Sequence, residues 1–144
     1  MKKKNLALIS AFVLAVLMLS ACGSSTPAAA TLEGTHWKLV SYGSPSSPTP
    51  AVADTDATLL FDQQPGQVSG KAGCNGFSGD YKQADGKLMV GQLMSTLMAC
   101  SDPLMQQESV VLATLNGTLK VELEKDTLRI YSADGQSLLT FARQ

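Results

Sequence analysis

Few residues of this sequence can do covalent or acid-base chemistry. It has three cysteines, Cys22, Cys74 and Cys100, and a single histidine, His36. Cysteine can supply a nucleophile, a disulfide or a metal ligand, but one histidine offers at most one general base or one imidazole ligand. Because His36 stands beside Trp37 in a strand pattern, we expect it to be a surface or edge side chain. No catalytic residue, metal site or cofactor is therefore predicted.

Cys74 lies within "GKAGCNGFSG", residues 70–79, in which a glycine occupies every third position. The stretch lacks the Ser or Thr of a P-loop and the G-x-G-x-x-G of a dinucleotide site, and no helix follows it to bind an anion. We interpret it as a turn between two strands in which Gly and Asn adopt positive φ. Gly70 and Gly79 are expected at bulges or close approaches.

Cys74 and Cys100 are the two cysteines available for pairing in the predicted domain. In an oxidising compartment such a pair favours a structural disulfide. Two free buried thiols, or a reactive or metal-binding pair, remain as alternatives, although the sequence has no C-x-x-C motif.

The N-terminus has the pattern of an export signal. Lys2, Lys3 and Lys4 precede an apolar run over residues 6–19, which is too short for a comfortable membrane span. The run ends in "LSAC", which resembles the bacterial lipobox. We predict a lipoprotein signal peptide at 1–21, lipid attachment with palmitate-type acyl chains at Cys22, a lipidated tether over 22–31 and one domain over 32–144.

Charge limits the partners of the predicted mature chain. Removal of residues 1–21 takes away three lysines and no acidic residue, leaving eight basic and 12 acidic side chains, a net charge of −4. Such a chain is a poor match for nucleic acid or for an anionic membrane surface. We expect membrane attachment through the lipid on Cys22. Because Gly23 replaces the aspartate that commonly retains lipoproteins at the inner membrane, we expect the outer membrane where the host has one, and otherwise the outer face of the plasma membrane.

Alternating apolar residues predict a mainly β domain with one α-helix. An antiparallel curled sheet or partial barrel of about eight strands, packed on one helix, would bury all the apolar faces. The Pro-rich stretch 43–56 is predicted to be a loop, and Asp102 and Pro103 are predicted to cap and start the helix. Its apolar side is expected to carry Leu104, Met105, Val111, Leu112 and Leu115. Strands are predicted within 35–42, 57–62, 67–73, 77–83, 87–93, 119–124, 127–133 and 136–143.

Four methionines cluster in sequence around the second cysteine. Met89, Met94, Met98 and Met105 either line a pliable apolar pocket or belong to the core, and the core is the commoner place for such residues.

Four segments together resemble the META/HslJ family of small domains. They are "GTHWKLVS", "GKAGCNGFSGDY", "LMSTLMAC" and "IYSADGQSLLTF", which occur in this order over about residues 32–143. The resemblance implies a compact β-rich fold with one helix, and it implies that Cys74 and Cys100 are neighbours. It supplies no active site, and the insertion "SPSSPTP" departs from the family pattern.

Two classes of function follow. The first is a noncatalytic envelope lipoprotein, a lipid-anchored module for binding or stress tolerance whose partner is an envelope protein or an apolar ligand. The alternative is a thiol-dependent redox enzyme or sensor that uses Cys74 and Cys100.

Overall fold

The computed structural model describes residues 31–64 and 66–144. The predicted signal peptide, Cys22 and all but the last residue of the predicted tether lie outside the described residues. The described chain contains one helix, α1 (Asp102–Thr114), and ten strands. The strands are β1 (His36–Ser44), β2 (Ser47–Pro50), β3 (Thr58–Phe61), β4 (Gln67–Lys71), β5 (Gly76–Ala84), β6 (Lys87–Val90), β7 (Met94–Ser95), β8 (Gly117–Glu124), β9 (Thr127–Tyr131) and β10 (Leu138–Arg143).

Eight of these strands close into an antiparallel barrel. The hydrogen-bonded order is β1, β3, β4, β5, β6, β8, β9 and β10, and β10 pairs again with β1. The two remaining strands are short additions, β2 beside β1 and β7 beside β5. The predicted β fold with one helix is confirmed, and the eight predicted strands match the eight strands of the barrel.

Strand β1 directs its alternating apolar side chains toward the interior of the barrel. Trp37, Leu39 and Tyr42 are all buried, although their spacing changes from two residues to three. The register of β1 against β10 shifts between Leu39 and Ser41, so one extra residue, Val40, is accommodated as an irregularity. The bulge leaves Val40 exposed and returns Tyr42 to the core side.

The prediction of a loop over 43–56 is wrong for its first half. Strand β1 continues to Ser44, and β2 follows it as the second arm of a hairpin in which Ser44 pairs with Ser47. Ala51 donates its N–H to the carbonyl of Val40 at 2.9 Å, which fixes the alternation of β2. Prolines are compatible with this strand because it is an edge strand on which every second N–H faces solvent.

Helix α1 lies at one end of the barrel. Val111 and Leu115 join the main apolar core, as predicted, whereas Met105 is exposed. The helix begins one residue earlier than expected, because Ser101 occupies the N-cap position and Asp102, predicted to be the cap, is the first helical residue. The C-cap Leu115 donates its N–H to the carbonyl of Val111.

The opposite end of the barrel receives the N-terminal part of the domain. Leu32 is fully buried in the core, and its N–H donates to the side-chain oxygen of Gln83, near the end of β5. The turns at this end join β3 to β4, β5 to β6 and β8 to β9. The chain therefore enters the barrel at the end away from α1.

Candidate functional site

The turn between β4 and β5 carries Cys74 and lies against α1. It is closed by a hydrogen bond from the N–H of Ala72 to the carbonyl of Asn75 at 3.1 Å. The expectation of positive φ in this turn is wrong, since Gly73, Asn75 and Gly76 all lie outside the positive-φ set of the described residues. Gly73 is needed for another reason: a Cβ there would lie 2.9 Å from the carbonyl oxygen of Leu104 in α1.

Gly70 likewise permits a close approach, as expected. A Cβ at this position would overlap the carbonyl oxygen of Thr58 on β3 and lie 3.1 Å from the ring of Phe77. Close packing therefore accounts for Gly70 and Gly73, whereas Gly76 has room for a Cβ.

Cys74 and Cys100 form a disulfide. Their Cα atoms are 6.1 Å apart, and the bond links positions separated by 26 residues. Cys74 is buried and Cys100 is exposed. The bond attaches the segment that precedes α1 to the turn between β4 and β5, so the alternative of two free buried thiols does not describe this structure.

Asn75 is the centre of a buried hydrogen-bond network. The sequence alone did not predict this network. Its side chain is 1% exposed, and all four of its amide hydrogen-bonding positions are used. Nδ2 donates to Glu108 Oε1 at 2.8 Å and to the carbonyl of Met98 at 3.0 Å. Oδ1 accepts from the Thr96 hydroxyl at 2.8 Å and from the N–H of Met98 at 2.7 Å.

Two side chains of α1 complete this network. Asn75 donates its main-chain N–H to Glu108 Oε2 at 2.6 Å, so the carboxylate of Glu108 accepts two hydrogen bonds from one residue. Gln107, which is fully buried, donates to the carbonyl of Ala72 at 3.0 Å and accepts from the N–H of Val52 at 2.8 Å. In the described part of the chain every buried side-chain nitrogen and oxygen has a hydrogen-bond partner.

This network holds a surface segment that we call the apolar edge, Met94–Met98. Leu97 is 95% exposed, Met94 71% and Met98 56%, so the expectation that the clustered methionines lie in the core is wrong. Residues 88–101 contain no charged side chain. Large apolar side chains on a fixed, uncharged segment are typical of an interaction surface.

A groove beside β5 contains one of the four clustered methionines. It has a volume of about 830 Å³, and its lining includes Met89 together with the charged residues Glu33, Asp80, Lys82 and Asp85. Tyr81 also lies there, and burial, followed by the charges of Glu33 and Asp62, raises its pKa. The groove therefore offers both apolar surface and charged groups to a ligand.

The other residues considered for chemistry are separated on the surface. His36 is exposed on β1, at the end away from α1, as expected, and the carboxylates of Asp54, Asp56, Asp62 and Asp80 are exposed. No His, Cys, Asp or Glu side chains in the described residues form a group of three that could hold a metal ion. Within 31–64 and 66–144, the helix is too short and too polar for a bilayer crossing.

Comparisons with known proteins agree with this fold. The chain matches the family model described as META domain over residues 30–144. An NMR structure of a protein from Burkholderia xenovorans is 28% identical, with a TM-score of 0.67, and the match covers 78% of this chain and 83% of that chain. A second NMR structure is 23% identical with a TM-score of 0.60, covering 76% of this chain and 88% of its own, and it shows the fold alone. No curated protein matches the sequence.

Proposed function

Since this chain belongs to the META domain family, we propose that it is a noncatalytic, lipid-anchored binding module of the cell envelope. Its partner is a protein, bound through the apolar edge, and its role is to support tolerance of envelope stress. The observation that carries the proposal is the rigid exposure of Met94, Leu97 and Met98.

The fixation of the apolar edge supports a binding role. A mobile apolar segment would lose conformational entropy on binding, whereas a fixed one loses little. Here the disulfide from Cys100 to Cys74 and the amide of Asn75 constrain the segment before any partner arrives. Large apolar side chains that stand exposed on the surface, rather than around an enclosed cavity, favour a protein partner over a small apolar ligand.

Anchoring through Cys22 fits the position of the edge. The "LSAC" sequence places the lipid ten residues before Leu32, and Leu32 enters the barrel at the end away from α1. The nine residues of β5, about 26 Å long, run between the two ends. The lipid would therefore be joined to the end of the barrel opposite the apolar edge, and the membrane is the outer membrane where the host has one.

The anchor is tested by labelling cells with an alkyne analogue of palmitate. We expect label on the wild-type protein and none on Cys22→Ser, with Ser20→Ala as the control that keeps the cysteine. Label on Cys22→Ser, or an unlabelled wild-type protein, would contradict the anchor.

The binding role is tested in the same membranes with a photo-crosslinking residue at Leu97. We expect one protein partner to be crosslinked, and no crosslink to it from the same residue at Lys125, which lies in the β8–β9 turn at the far end of the barrel. Equal recovery from both positions, or recovery of lipid alone from Leu97, would contradict a protein partner at the edge.

A thiol-dependent redox enzyme or sensor is the second candidate. The observation in its favour is that Cys100 is exposed, so a thiol reagent can approach one end of the disulfide. This function requires facile reduction of the bond. Intact-mass measurement after mild reductant and alkylator tests it, and a bond that resists mild reductant would remove the candidate.

A further inference from the structure

Two short strands, β2 and β7, are added at the edges of the sheet, and they differ in their content of proline. In β2 the N–H of Ala51 points to β1, so by alternation the nitrogens of Pro48 and Pro50 face outward. Proline has no N–H, and that edge therefore offers no donors at these two positions. The apolar edge, which begins with β7, has no proline, no lysine and no other charge.

Hydrogen bonds on the apolar edge alternate as they do in a strand. Thr96 donates its N–H to the carbonyl of Gly76 at 3.1 Å, and Met98 donates its N–H to Asn75 Oδ1 at 2.7 Å. Both groups point toward β5 and the turn before it. By the period of two, Ser95 and Leu97 direct their N–H and C=O groups the other way.

The main chain of Leu97 agrees with this outward direction. Neither its N–H nor its C=O makes a hydrogen bond within residues 31–64 and 66–144, and its side chain is the most exposed of the large apolar ones in that part of the chain. An extended, uncharged segment with open main-chain groups is a template for another strand.

A cleft adjoins this segment at Ser95. It has a volume of about 390 Å³, and its lining includes Leu93 and Ser95 together with Leu112 of α1 and Asn116, which follows the helix. An added strand would therefore meet main-chain groups on one side and an apolar side chain of α1 on the other.

A second copy of this chain fits the edge poorly when both copies are anchored. Antiparallel pairing of two identical edges places a twofold axis across the edge, and this axis reverses the direction of the second barrel. The two Leu32 ends would then point in opposite directions, so one of the two ten-residue tethers would have to run back almost fully extended along the barrel to reach the same membrane. A strand from a different protein has no such constraint, and the lack of charge over residues 88–101 calls for an uncharged segment.

We infer that the apolar edge, Met94–Met98, binds an extended, uncharged strand of another protein by strand addition, with Ser95 and Leu97 exchanging main-chain hydrogen bonds with it. The inference deepens the proposed function and rests on it, since the exclusion of a second copy uses the membrane tether. Main-chain hydrogen bonds supply most of the affinity in this mode, and side chains adjust specificity.

The test uses the full protein, purified in the form in which cells produce it. The probe is a blocked pentapeptide of alternating threonine and valine, and its control is the same peptide with N-methylated valines. Two-dimensional NMR at millimolar peptide should show shifts and slowed exchange at the amides of Ser95 and Leu97. The methylated peptide should leave both amides unchanged.

A pair of variants isolates the outward N–H of Leu97. Leu97→Pro removes this N–H, and Leu97→Val keeps it in a side chain of similar size. We expect the proline variant to bind the peptide at least about tenfold more weakly and the valine variant within about twofold of wild type. Circular dichroism verifies folding, and the methylated peptide keeps the test decisive where Leu97→Pro fails to fold.

The outcomes separate the two proposals. Unchanged Ser95 and Leu97 amides, equal binding of the methylated peptide, or full binding by a folded Leu97→Pro would overturn strand addition while leaving the palmitate result intact. A peptide-free dimer in sedimentation that Leu97→Pro dissociates would replace the partner protein by a second copy. Loss of the lipid with retained peptide binding would refute the proposed anchor and not the open edge.

Discussion

The side-chain amide of Asn75 pairs with the main chain of Met98 as a strand residue would. Its Oδ1 accepts the N–H of Met98 at 2.7 Å and its Nδ2 donates to the carbonyl of Met98 at 3.0 Å. One buried side chain thereby continues the hydrogen bonding of β5 beyond its first residue. The exposed segment is held in an extended form without a further strand.

Asn75→Ala should be among the most destabilising substitutions in the domain. It removes four side-chain hydrogen bonds, so the main chain of Met98 loses both of its partners and the buried carboxylate of Glu108 keeps only the bond from the main-chain N–H of residue 75. We expect a loss of about 2 to 4 kcal/mol in the free energy of unfolding. Urea denaturation measures it, and Asn116→Ala, which changes an exposed asparagine, should stay within about 0.5 kcal/mol of wild type.

The Asn75→Asp variant tests the contact between residue 75 and Glu108 through the pH dependence of stability. An aspartate would place a second carboxylate against Glu108, so at neutral pH the variant should be less stable than Asn75→Ala. Because protonation of the pair relieves the repulsion, acidification should narrow the difference between these two variants. A pH-independent difference would contradict the carboxylate contact.

The glycines of the turn between β4 and β5 should respond in opposite directions to alanine. At Gly73 a Cβ would lie 2.9 Å from the carbonyl oxygen of Leu104, so Gly73→Ala should lower the free energy of unfolding by about 1 to 3 kcal/mol. At Gly76 the one neighbouring atom, the carbonyl oxygen of Gly70, would lie at 3.7 Å. Gly76→Ala should therefore be neutral or stabilising by up to about 1 kcal/mol, because alanine restricts the unfolded chain. Equal effects in thermal denaturation would contradict this account.

Removal of the Cys74–Cys100 bond should destabilise the domain through the unfolded state. The bond closes a loop over a separation of 26 residues, for which the chain-entropy estimate is about 3 to 4 kcal/mol. The double variant Cys74→Ser with Cys100→Ser should lose about this much in denaturant. Crosslinking from Leu97 should fall as well, since one of the two constraints on the apolar edge is lost, and unchanged crosslinking would show that Asn75 suffices.

The barrel strands could be predicted from sequence because one face of each is buried. In β9, Leu128 and Ile130 are buried and alternate with half-buried residues, and this alternation is visible in the sequence. Strand β2 could not be predicted, since all four of its side chains are exposed and two are proline. Its strand character depends on pairing with β1, which a local pattern does not encode.

The site was harder to predict because its residues are polar and buried. Gln107 and Glu108 look like the solvated side of a helix when considered alone. A signal existed: both share a helical face with Leu104, Val111 and Leu115 by their spacing of three and four residues. The sequence around Asn75 indicates only a turn, and the fold brings its side chain to Glu108 and Met98.

Tyr131→Phe should change how the free energy of unfolding depends on pH. Hydrogen bonds from Lys120 and then from the hydroxyl of Tyr131 lower the pKa of Glu122. A lowered pKa contributes stability that is present above the unfolded pKa and is lost as the pH falls through the folded pKa. The variant should therefore be less stable than wild type at about pH 7, and the two should converge at about pH 3.

Screening by solvent limits the stability difference between Tyr131→Phe and the wild type. Glu122 is about one-third exposed, so the difference at neutral pH should stay below about 1 kcal/mol. NMR titration of the Glu122 carboxyl group should show a higher pKa in Tyr131→Phe than in wild type. An unchanged pKa of Glu122, or variants that diverge as the pH falls, would contradict the role of the hydroxyl.

The edge of β2 provides the last prediction, because its prolines stand where free N–H groups would face solvent. The double change Pro48→Thr with Pro50→Thr restores two outward donors on an exposed strand and adds β propensity. We expect concentration-dependent self-association in sedimentation equilibrium. Ser47→Thr is the matched control, since it adds β propensity at a position whose N–H already points to β1. If the double variant and this control sediment alike as monomers, proline does not protect the edge, and the contrast between β2 and the apolar edge loses its physical basis.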